Sequence, residues 1–112
     1  MKSVSVNYLM FMDARDIVTK KYDIPTKEGA ILRRVVIAKI NNETFTVNDV
    51  LKLRDIGSPA TNHGYLKKLI KRKLVESIAD KNDQRIRNLY PTKLALELFA
   101  QLSKEFNKFC KK

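Results

Sequence analysis

The residue types best suited to chemistry in this chain are basic and lie close together in one segment. Lys67, Lys68, Lys71 and Arg72 are spaced so that a helix, which turns about 100° per residue, would carry them on one half of its surface. Closely spaced ammonium and guanidinium groups bind phosphates and other polyanions. The alternative is that a lysine-rich helix face is simply solvated.

A carboxylate two residues before an arginine forms a second candidate site. Asp83 precedes Arg85 near the end of the polar run 80–84, which has no apolar side chain to contribute to a core. The carboxylate would hold the guanidinium extended, in a form suited to the negative potential of a narrow DNA minor groove. The alternative is an exposed ion pair that only steadies a turn.

Residues for catalysis or metal binding are nearly absent from the sequence. The chain has one histidine, His63, and one cysteine, Cys110, and shows neither metal-ligand spacing nor a glycine-rich phosphate loop. We therefore expect no enzyme activity and no cofactor. His63 is predicted to lie on a helix flank toward the core, as a packed or a surface histidine rather than a ligand or a base. Cys110 is predicted to be a small hydrophobic residue rather than a redox sensor.

Composition restricts the compartment and the partners. A lone cysteine excludes an internal disulfide, and neither an export signal nor a membrane-spanning apolar stretch is visible, so a cytoplasmic location without membrane contact is expected. The net charge of +11 in 112 residues favours polyanionic partners. Residues 58–93 hold nine Lys or Arg against three Asp or Glu, so this third of the chain carries more than half of the excess. The length predicts one domain, residues 1–112.

Two helices are predicted before residue 46. The first covers residues 3–22, with apolar side chains at helical spacing, and ends before Pro25. Thr26 is predicted to cap a second, central helix, which stops at Asn41 and Asn42. The apolar face of this helix comprises Ile31, Leu32, Val35, Val36 and Ile40.

Residues 46–73 are predicted to form two short helices separated by a tight turn. Thr46 and Asp49 have the spacing of a capping box, which opens a helix that ends near Gly57. Ser58 followed by Pro59 is a strong start signal for a second helix, which runs to about residue 73. This arrangement is typical of a helix-turn-helix.

A β-hairpin and a last helix complete the prediction. Residues 75–78 and 85–90 are the predicted strands, within a hairpin spanning residues 75–91. Thr92 then caps the last helix. Its apolar face comprises Ala95, Leu98, Phe99, Leu102, Phe106 and Phe109. The terminal segments 1–23 and 93–112, with Tyr8, Phe11 and Met12 on the first helix, carry more apolar surface than a small core needs, which favours a dimer interface. The alternative is that these faces cover the central helix of the same chain.

The helix that begins after Ser58 has a small and a basic half on its outward face. Ala60 would meet a thymine methyl group and Thr61 would bind a base edge or a phosphate. Gly64 in mid-helix costs about 1 kcal/mol relative to alanine, which indicates a close approach by DNA or by a neighbouring helix. Leu66, Leu69 and Ile70 are predicted to pack inward, and Asn62 to serve a turn hydrogen bond. The candidate DNA-binding residues are Ser58, Ala60, Thr61, Gly64, Tyr65, Lys67, Lys68, Lys71, Arg72, Lys81, Arg85 and Arg87, with Asp83 orienting Arg85.

Residues 58–95 resemble the winged helix-turn-helix of the MarR (multiple-antibiotic-resistance regulator) family. The resemblance is carried by the segment 58–61 that opens the reading helix, by residues 69–75 at its exit, by the Asp83-Gln84-Arg85 wing motif and by Thr92 seven residues after Arg85. The chain departs from the family where Lys73 and Ala95 replace usual glycines, Pro91 a usual leucine and Gly64 a frequent arginine. It also has one C-terminal helix where the family generally has two, and in this it is similar to the compact staphylococcal accessory regulators.

This resemblance implies the fold and the function that we expect. The fold class is mainly α (α+β), a winged helix-turn-helix with a small β-hairpin wing and flanking N- and C-terminal helices. The family implies a homodimer with reading helices in successive major grooves and wing arginines in the minor groove. The predicted function is sequence-specific binding of double-stranded DNA by a transcriptional regulator, with a repressor favoured. The alternatives are a winged-helix protein-interaction module and a replication or maintenance protein of a mobile element.

Overall fold

A computed structural model describes residues 4–110 of the chain, and the side chains of residues 4–108. The chain divides into two compact units, residues 1–24 with 97–112 and residues 25–96. The fold is mainly helical with one two-stranded antiparallel sheet, which confirms the predicted class. The elements are α1 (Val6–Lys21), α2 (Thr26–Ile40), α3 (Val47–Leu51), α4 (Pro59–Lys71), β1 (Val75–Ala79), β2 (Arg87–Pro91) and α5 (Lys93–Cys110).

Helix α2 is the central helix of the second unit, as predicted. Its fully buried side chains include Ile31, Leu32 and Val35. The prediction that Thr26 caps this helix is wrong, because the extended residue before the first turn is Pro25, which offers no side-chain acceptor. Ile40 is also not part of the core: it is 71% exposed, since the helix ends there and the chain turns away through the next two residues.

The helix-turn-helix is formed by α3 and α4. The predicted capping box is present, with the Thr46 hydroxyl accepting the Asp49 N–H and the Asp49 carboxylate accepting the Thr46 N–H. Helix α3 ends at Leu51 rather than near Gly57, and the intervening residues form turns. Gly57 cannot easily be replaced there, because a Cβ would lie 3.0 Å from Oδ1 of Asn62.

The inward placement predicted for Ile70 is wrong, and of the two alternatives for His63 the structure has the surface histidine. His63 and Ile70 are both exposed, the latter by 38%. They lie on the same flank of α4, and the core covers only the narrower strip that contains Leu66 and Leu69. The width of the buried stripe on a short surface helix depends on the element that packs beneath it. The helical period alone does not define that width.

The exit from α4 leads directly into the hairpin. Lys73 has a left-handed backbone with φ 61°, at the position where the resembled family usually has glycine. This conformation allows the Leu74 N–H to donate to the Leu69 carbonyl and ends the helix. A residue with a side chain pays about 1–2 kcal/mol for it.

The hairpin pairs β1 with β2 in antiparallel register, with Ser77 opposite Leu89. Strand β2 begins at Arg87, two residues later than predicted, so Arg85 belongs to the connecting loop. A short third segment joins the sheet, because Thr46 forms an isolated bridge with Asn88. The hairpin is therefore attached to the residue that caps α3.

The first unit contains α1 and the distal part of α5. Val18 is buried, and the rings of Phe11 and Phe106 pack edge to face at 5.2 Å. The predicted cap of α5 is confirmed, since the Ala95 N–H donates to the Thr92 hydroxyl. The side chains of Phe109 and Cys110 lie outside the described residues. None of the described helices is both long enough and apolar enough to cross a membrane.

One side of α1 exposes four apolar side chains to solvent, alongside the charged Asp13 and Lys20. Val6, Leu9, Met10 and Ile17 lie within one turn-spaced stripe and are at least half exposed. We call these four residues the α1 stripe.

Of the α1 residues predicted to form a dimer interface, Tyr8 is exposed, whereas Phe11 packs against Phe106 of the same chain. Their contact with a second copy stays a prediction.

Candidate nucleic-acid interface

Helix α4 presents the predicted outward face to solvent. Ala60 and Thr61 near its N-terminus are exposed, and Gly64 is partly exposed. Farther along, the three lysines of the outward face are all exposed: Lys67, Lys68 and Lys71. The first half of this face is therefore flat and the second half cationic, as the sequence predicts.

Asn62 holds α4 against the preceding turn. Its side chain has no exposed surface, and Nδ2 lies within hydrogen-bond distance of the carbonyls of Val50 (3.1 Å), Leu53 (2.9 Å) and Gly57 (3.2 Å). This confirms the predicted turn hydrogen bond. Oδ1 of the same amide is buried without a hydrogen-bond partner among the described residues, so the amide is held through its nitrogen. Losing those nitrogen contacts would leave a second buried polar group unsatisfied. The outward face is thus carried on a rigid support.

The first turn of α4 is organised by two hydroxyl groups. The Ser58 hydroxyl accepts the Thr61 N–H at 3.3 Å and donates to the Thr61 hydroxyl at 2.9 Å. Thr61 keeps its own hydroxyl proton for an external acceptor. Ser58 is therefore a helix cap first, and its predicted DNA contact stays a prediction.

Gly64 leaves open space on the outward face. A Cβ built there would have no heavy atom within 4 Å outside its own helix and chain neighbours. A neighbouring helix of the same chain is therefore not the reason for a glycine at this position. The remaining explanation from the sequence analysis is close approach by a partner molecule.

Arg72 and Tyr65 lie on the flank of this face. Arg72 contacts another residue of the chain, and Tyr65 is partly buried. Arg72 Nη1 lies 3.8 Å from Oε1 of Glu28, a carboxylate of α2 that is almost completely buried. A buried carboxylate is strongly destabilising without a nearby cation. Tyr65 is half-buried. The DNA contacts predicted for these two residues stay predictions.

The wing loop carries the predicted carboxylate and guanidinium pair. Asp83 accepts hydrogen bonds from Arg85 Nε at 3.1 Å and Nη2 at 3.0 Å, and from the Arg85 backbone N–H. These contacts lower the pKa of Asp83, first through the guanidinium and then through the backbone N–H, and raise the pKa of Arg85. The Arg85 side chain is nevertheless 90% exposed. The guanidinium is therefore held by Asp83 and remains accessible to solvent.

Two further basic residues of the wing differ in their restraint. Lys81 is exposed at the loop tip. Arg87 reaches across the hairpin, where Nε donates to the Ser77 hydroxyl and Nη2 to the Ser77 carbonyl. Arg87 thus braces the strands while its side chain stays on the surface.

Asp80 and Asn88 organise the wing loop and were not singled out from the sequence. The available signal was the aspartate that opens the polar run 80–84, since aspartate at the start of a turn often binds the backbone two residues on. The long-range partner, Asn88, has no such local signal. Within the part of the chain that the structure describes, no cluster of His, Cys, Asp or Glu is arranged to hold a metal ion.

Comparisons with known proteins agree on the fold. S. aureus MepR, in its complex with DNA, superposes with a TM-score of 0.75 at 22% identity, over 87% of this chain and 70% of MepR. Transcriptional regulator Tm0710 from Thermotoga maritima gives 0.74 at 17% identity, over 91% and 68%. The heme sensor PefR, with heme and carbon monoxide, gives 0.63 at 18% identity, over 90% and 69%. No family model and no curated protein sequence matches this chain.

These structural neighbours are MarR-family regulators. The chain therefore has the winged helix-turn-helix fold of that family, which confirms the resemblance seen in the sequence. At these levels of identity the likeness concerns the fold. What the interface binds has to be argued from its own residues.

Proposed function

We propose that this chain is a sequence-specific, double-stranded DNA-binding transcriptional regulator that acts as a homodimer. The observation that carries the proposal is the α4 face, small at its N-terminal half and cationic at its C-terminal half, on a helix locked by Asn62. A major groove admits a helix, and base edges are met by the N-terminal residues of a recognition helix. Ala60 and Thr61 lie there.

The basic half of α4 is suited to the phosphate backbone. Lys67, Lys68 and Lys71 are exposed on the same side of the helix as the small residues. Phosphate contacts position a protein on DNA and supply salt-dependent affinity without sequence information. The two halves of the face therefore divide recognition between bases and backbone.

The wing supplies a second contact in this proposal. Arg85 is anchored by Asp83 and its guanidinium is solvent-exposed. A narrow minor groove has an enhanced negative potential that attracts arginine. The S. aureus MepR–DNA complex is a structure of a protein of this fold bound to DNA, which supports nucleic acid as the partner.

The homodimer is supported by the α1 stripe. An outward apolar stripe on a surface helix marks a contact with another molecule. In a symmetric dimer it would meet the same stripe on a second copy. The two reading helices would then bind two half-sites. A dimer bound at a promoter blocks it with few further contacts, which favours a repressor.

The experiment is selection of bound sites from a random duplex pool, followed by titration of the selected duplex. If about six Lys or Arg per dimer meet phosphates, log K falls against log salt with a slope of about −5. Lys68→Ala and Lys71→Ala weaken binding to the selected and the random duplex alike. Thr61→Ala reduces the difference in affinity between the two duplexes.

The matched control is Lys104→Ala, which removes an exposed lysine of α5 and should leave both affinities nearly unchanged. Binding that ignores salt, or that shows no preference for the selected duplex, would contradict the proposal. If the chain does not prefer the selected duplex over random duplex but binds an acidic protein tightly and in a salt-dependent way, the protein-interaction alternative is favoured.

A further inference from the structure

Asp80 fixes both ends of the wing loop. It follows the last residue of β1, and its Oδ2 accepts the backbone N–H groups of Asn82 at 3.0 Å and Asp83 at 3.2 Å. Its Oδ1 accepts Nδ2 of Asn88 at 2.9 Å, and its own N–H donates to the Ile86 carbonyl at 2.9 Å. The Asn88 hydrogen bond is the largest cause of the lowered pKa of Asp80, followed by the N–H of Asn82. The Asp80 side chain thus ties the loop to β2, and the Asp80 backbone closes the loop through Ile86.

Asn88 connects this loop to the helix-turn-helix. It is only 8% exposed, and its backbone forms the isolated bridge to Thr46, the residue that caps α3. The neighbouring Leu89 N–H donates to the Phe45 carbonyl at 2.8 Å. The loop is therefore braced against the body of the second unit and does not rest on the hairpin alone.

We infer that Asp80 and Asn88 are positioning residues for Arg85, acting through Asp83. Asp80 holds the Asp83 backbone, the Asp83 carbonyl accepts the Ile86 N–H at 3.0 Å, and the Asp83 carboxylate holds the guanidinium. The exposed Arg85 side chain has no other hydrogen bond within the described residues, so its direction depends on where Asp83 is held. We call the Asp80–Asn88 hydrogen bond the wing latch.

The wing latch lowers the ordering cost of DNA binding. A long side chain or a loop that is free before binding loses conformational entropy when it is fixed in a complex. A loop already held by the four hydrogen bonds that involve Asp80 loses less conformational entropy on binding. The inference rests on the proposed function, since only there does Arg85 contact DNA.

Three variants test the latch in the full chain, with the duplex that the wild-type protein selects from a random pool. Asp80→Ala removes all the side-chain contacts and should weaken binding about tenfold, although the loss of a negative charge favours DNA. Asp80→Asn should bind within about twofold of wild type, because its carbonyl keeps the loop contacts and Asn88 can turn its amide to accept. Glu76→Ala makes the same charge change at an exposed position of β1 and should not weaken binding.

Coupling to Arg85 separates positioning from a general structural role. In an Arg85→Ala background, Asp80→Ala should have less than about a twofold further effect on affinity, because the residue through which it acts is gone. Equal losses in both backgrounds, or a Glu76→Ala loss as large as that of Asp80→Ala, would overturn the inference.

A measurement on the free protein distinguishes failure of the latch from failure of the proposed function. The 15N heteronuclear NOE of the Arg85 Nε–H group reports its order without DNA, and it should fall in Asp80→Ala and persist in Asp80→Asn and Glu76→Ala. If wild type binds no duplex while this NOE changes as described, the latch stands and the DNA-binding proposal is wrong. If the NOE is unchanged in Asp80→Ala, the latch is wrong.

Discussion

The guanidinium of Arg85 is held by Asp83 and is still exposed to solvent. It forms two hydrogen bonds with Asp83, so the side chain is pre-oriented without being buried. Exposed ion pairs of this kind contribute little to the free energy of unfolding. The effect of Arg85 on DNA binding is therefore the more informative measurement. The electrostatic signature of the pair is the lowered pKa of Asp83.

We expect Arg85→Ala to weaken binding of the selected duplex at least about tenfold, or about 1.4 kcal/mol, with little change in thermal midpoint. The removal of the guanidinium also raises the pKa of Asp83 toward its ordinary value of 3.8, because the largest cause of the shift is lost. Duplex titration and a carboxyl 13C NMR pH titration measure the two effects.

The sign of the pH effect follows from the direction of the shift. In wild type the pair stabilises the folded chain above the ordinary aspartate pKa, and this contribution disappears as the pH falls through the lowered value. Arg87→Ala is the control for the pKa of Asp83 alone, because it removes a wing arginine that contacts Ser77 and not Asp83. An Arg85→Ala protein that is less stable but binds DNA normally would show that the wing pair is structural only.

At the scale of the element, α4 combines a tightly packed side with an open one. Asn62, Leu66 and Leu69 are buried, whereas Gly64 faces open space. Packing therefore does not require a glycine at position 64, although helix propensity disfavours it. Gly57 presents the opposite case, because a Cβ there would lie only 3.0 Å from Oδ1 of Asn62.

We expect Gly64→Ala to raise the free energy of unfolding by about 1 kcal/mol, because alanine is the better helix former and the added methyl meets nothing. The same variant should weaken binding of the selected duplex, since the methyl group occupies the space for close approach to base edges. Gly57→Ala is the matched control and should destabilise the protein. Urea unfolding and duplex titration are the measurements. Wild-type affinity in Gly64→Ala would contradict the close-approach interpretation.

At the scale of the whole molecule, the candidate DNA-binding surface and the α1 stripe lie in different units of the chain. The basic α4 face and the wing belong to the unit of residues 25–96, and the α1 stripe belongs to the other unit. The net charge of +11 repels copies of the chain from one another unless apolar contacts or DNA offset it.

We expect Ile17→Gln to shift the chain from dimer to monomer at micromolar concentration, because it places an amide in the apolar contact between two copies. Sedimentation velocity gives the oligomeric state, and duplex titration should show weaker binding as the dimer is lost. Ile40→Gln is the matched control, since Ile40 is 71% exposed and Ile17 is 72% exposed, but Ile40 lies on α2. Wild-type protein that is monomeric and still binds its duplex tightly would contradict the dimer.

Much of this protein follows from its sequence alone, because the signals are local. The Thr46 and Asp49 box, the Ser58–Pro59 start and the Thr92 cap each involve residues three or fewer positions apart, and the backbone groups they satisfy are their immediate neighbours. The order of elements, the hairpin and the outward face of α4 were therefore predictable.

Only the tertiary structure decided features that depend on residues far apart in the chain. The width of the buried strip on α4 left His63 and Ile70 in solvent, and the ending of α2 left Ile40 there. Arg72 meets Glu28 across the fold, and Asn88 meets both Asp80 and Thr46. Periodicity states which residues share a face, but burial and partners depend on what another element places opposite that face, which is a property of the folded chain.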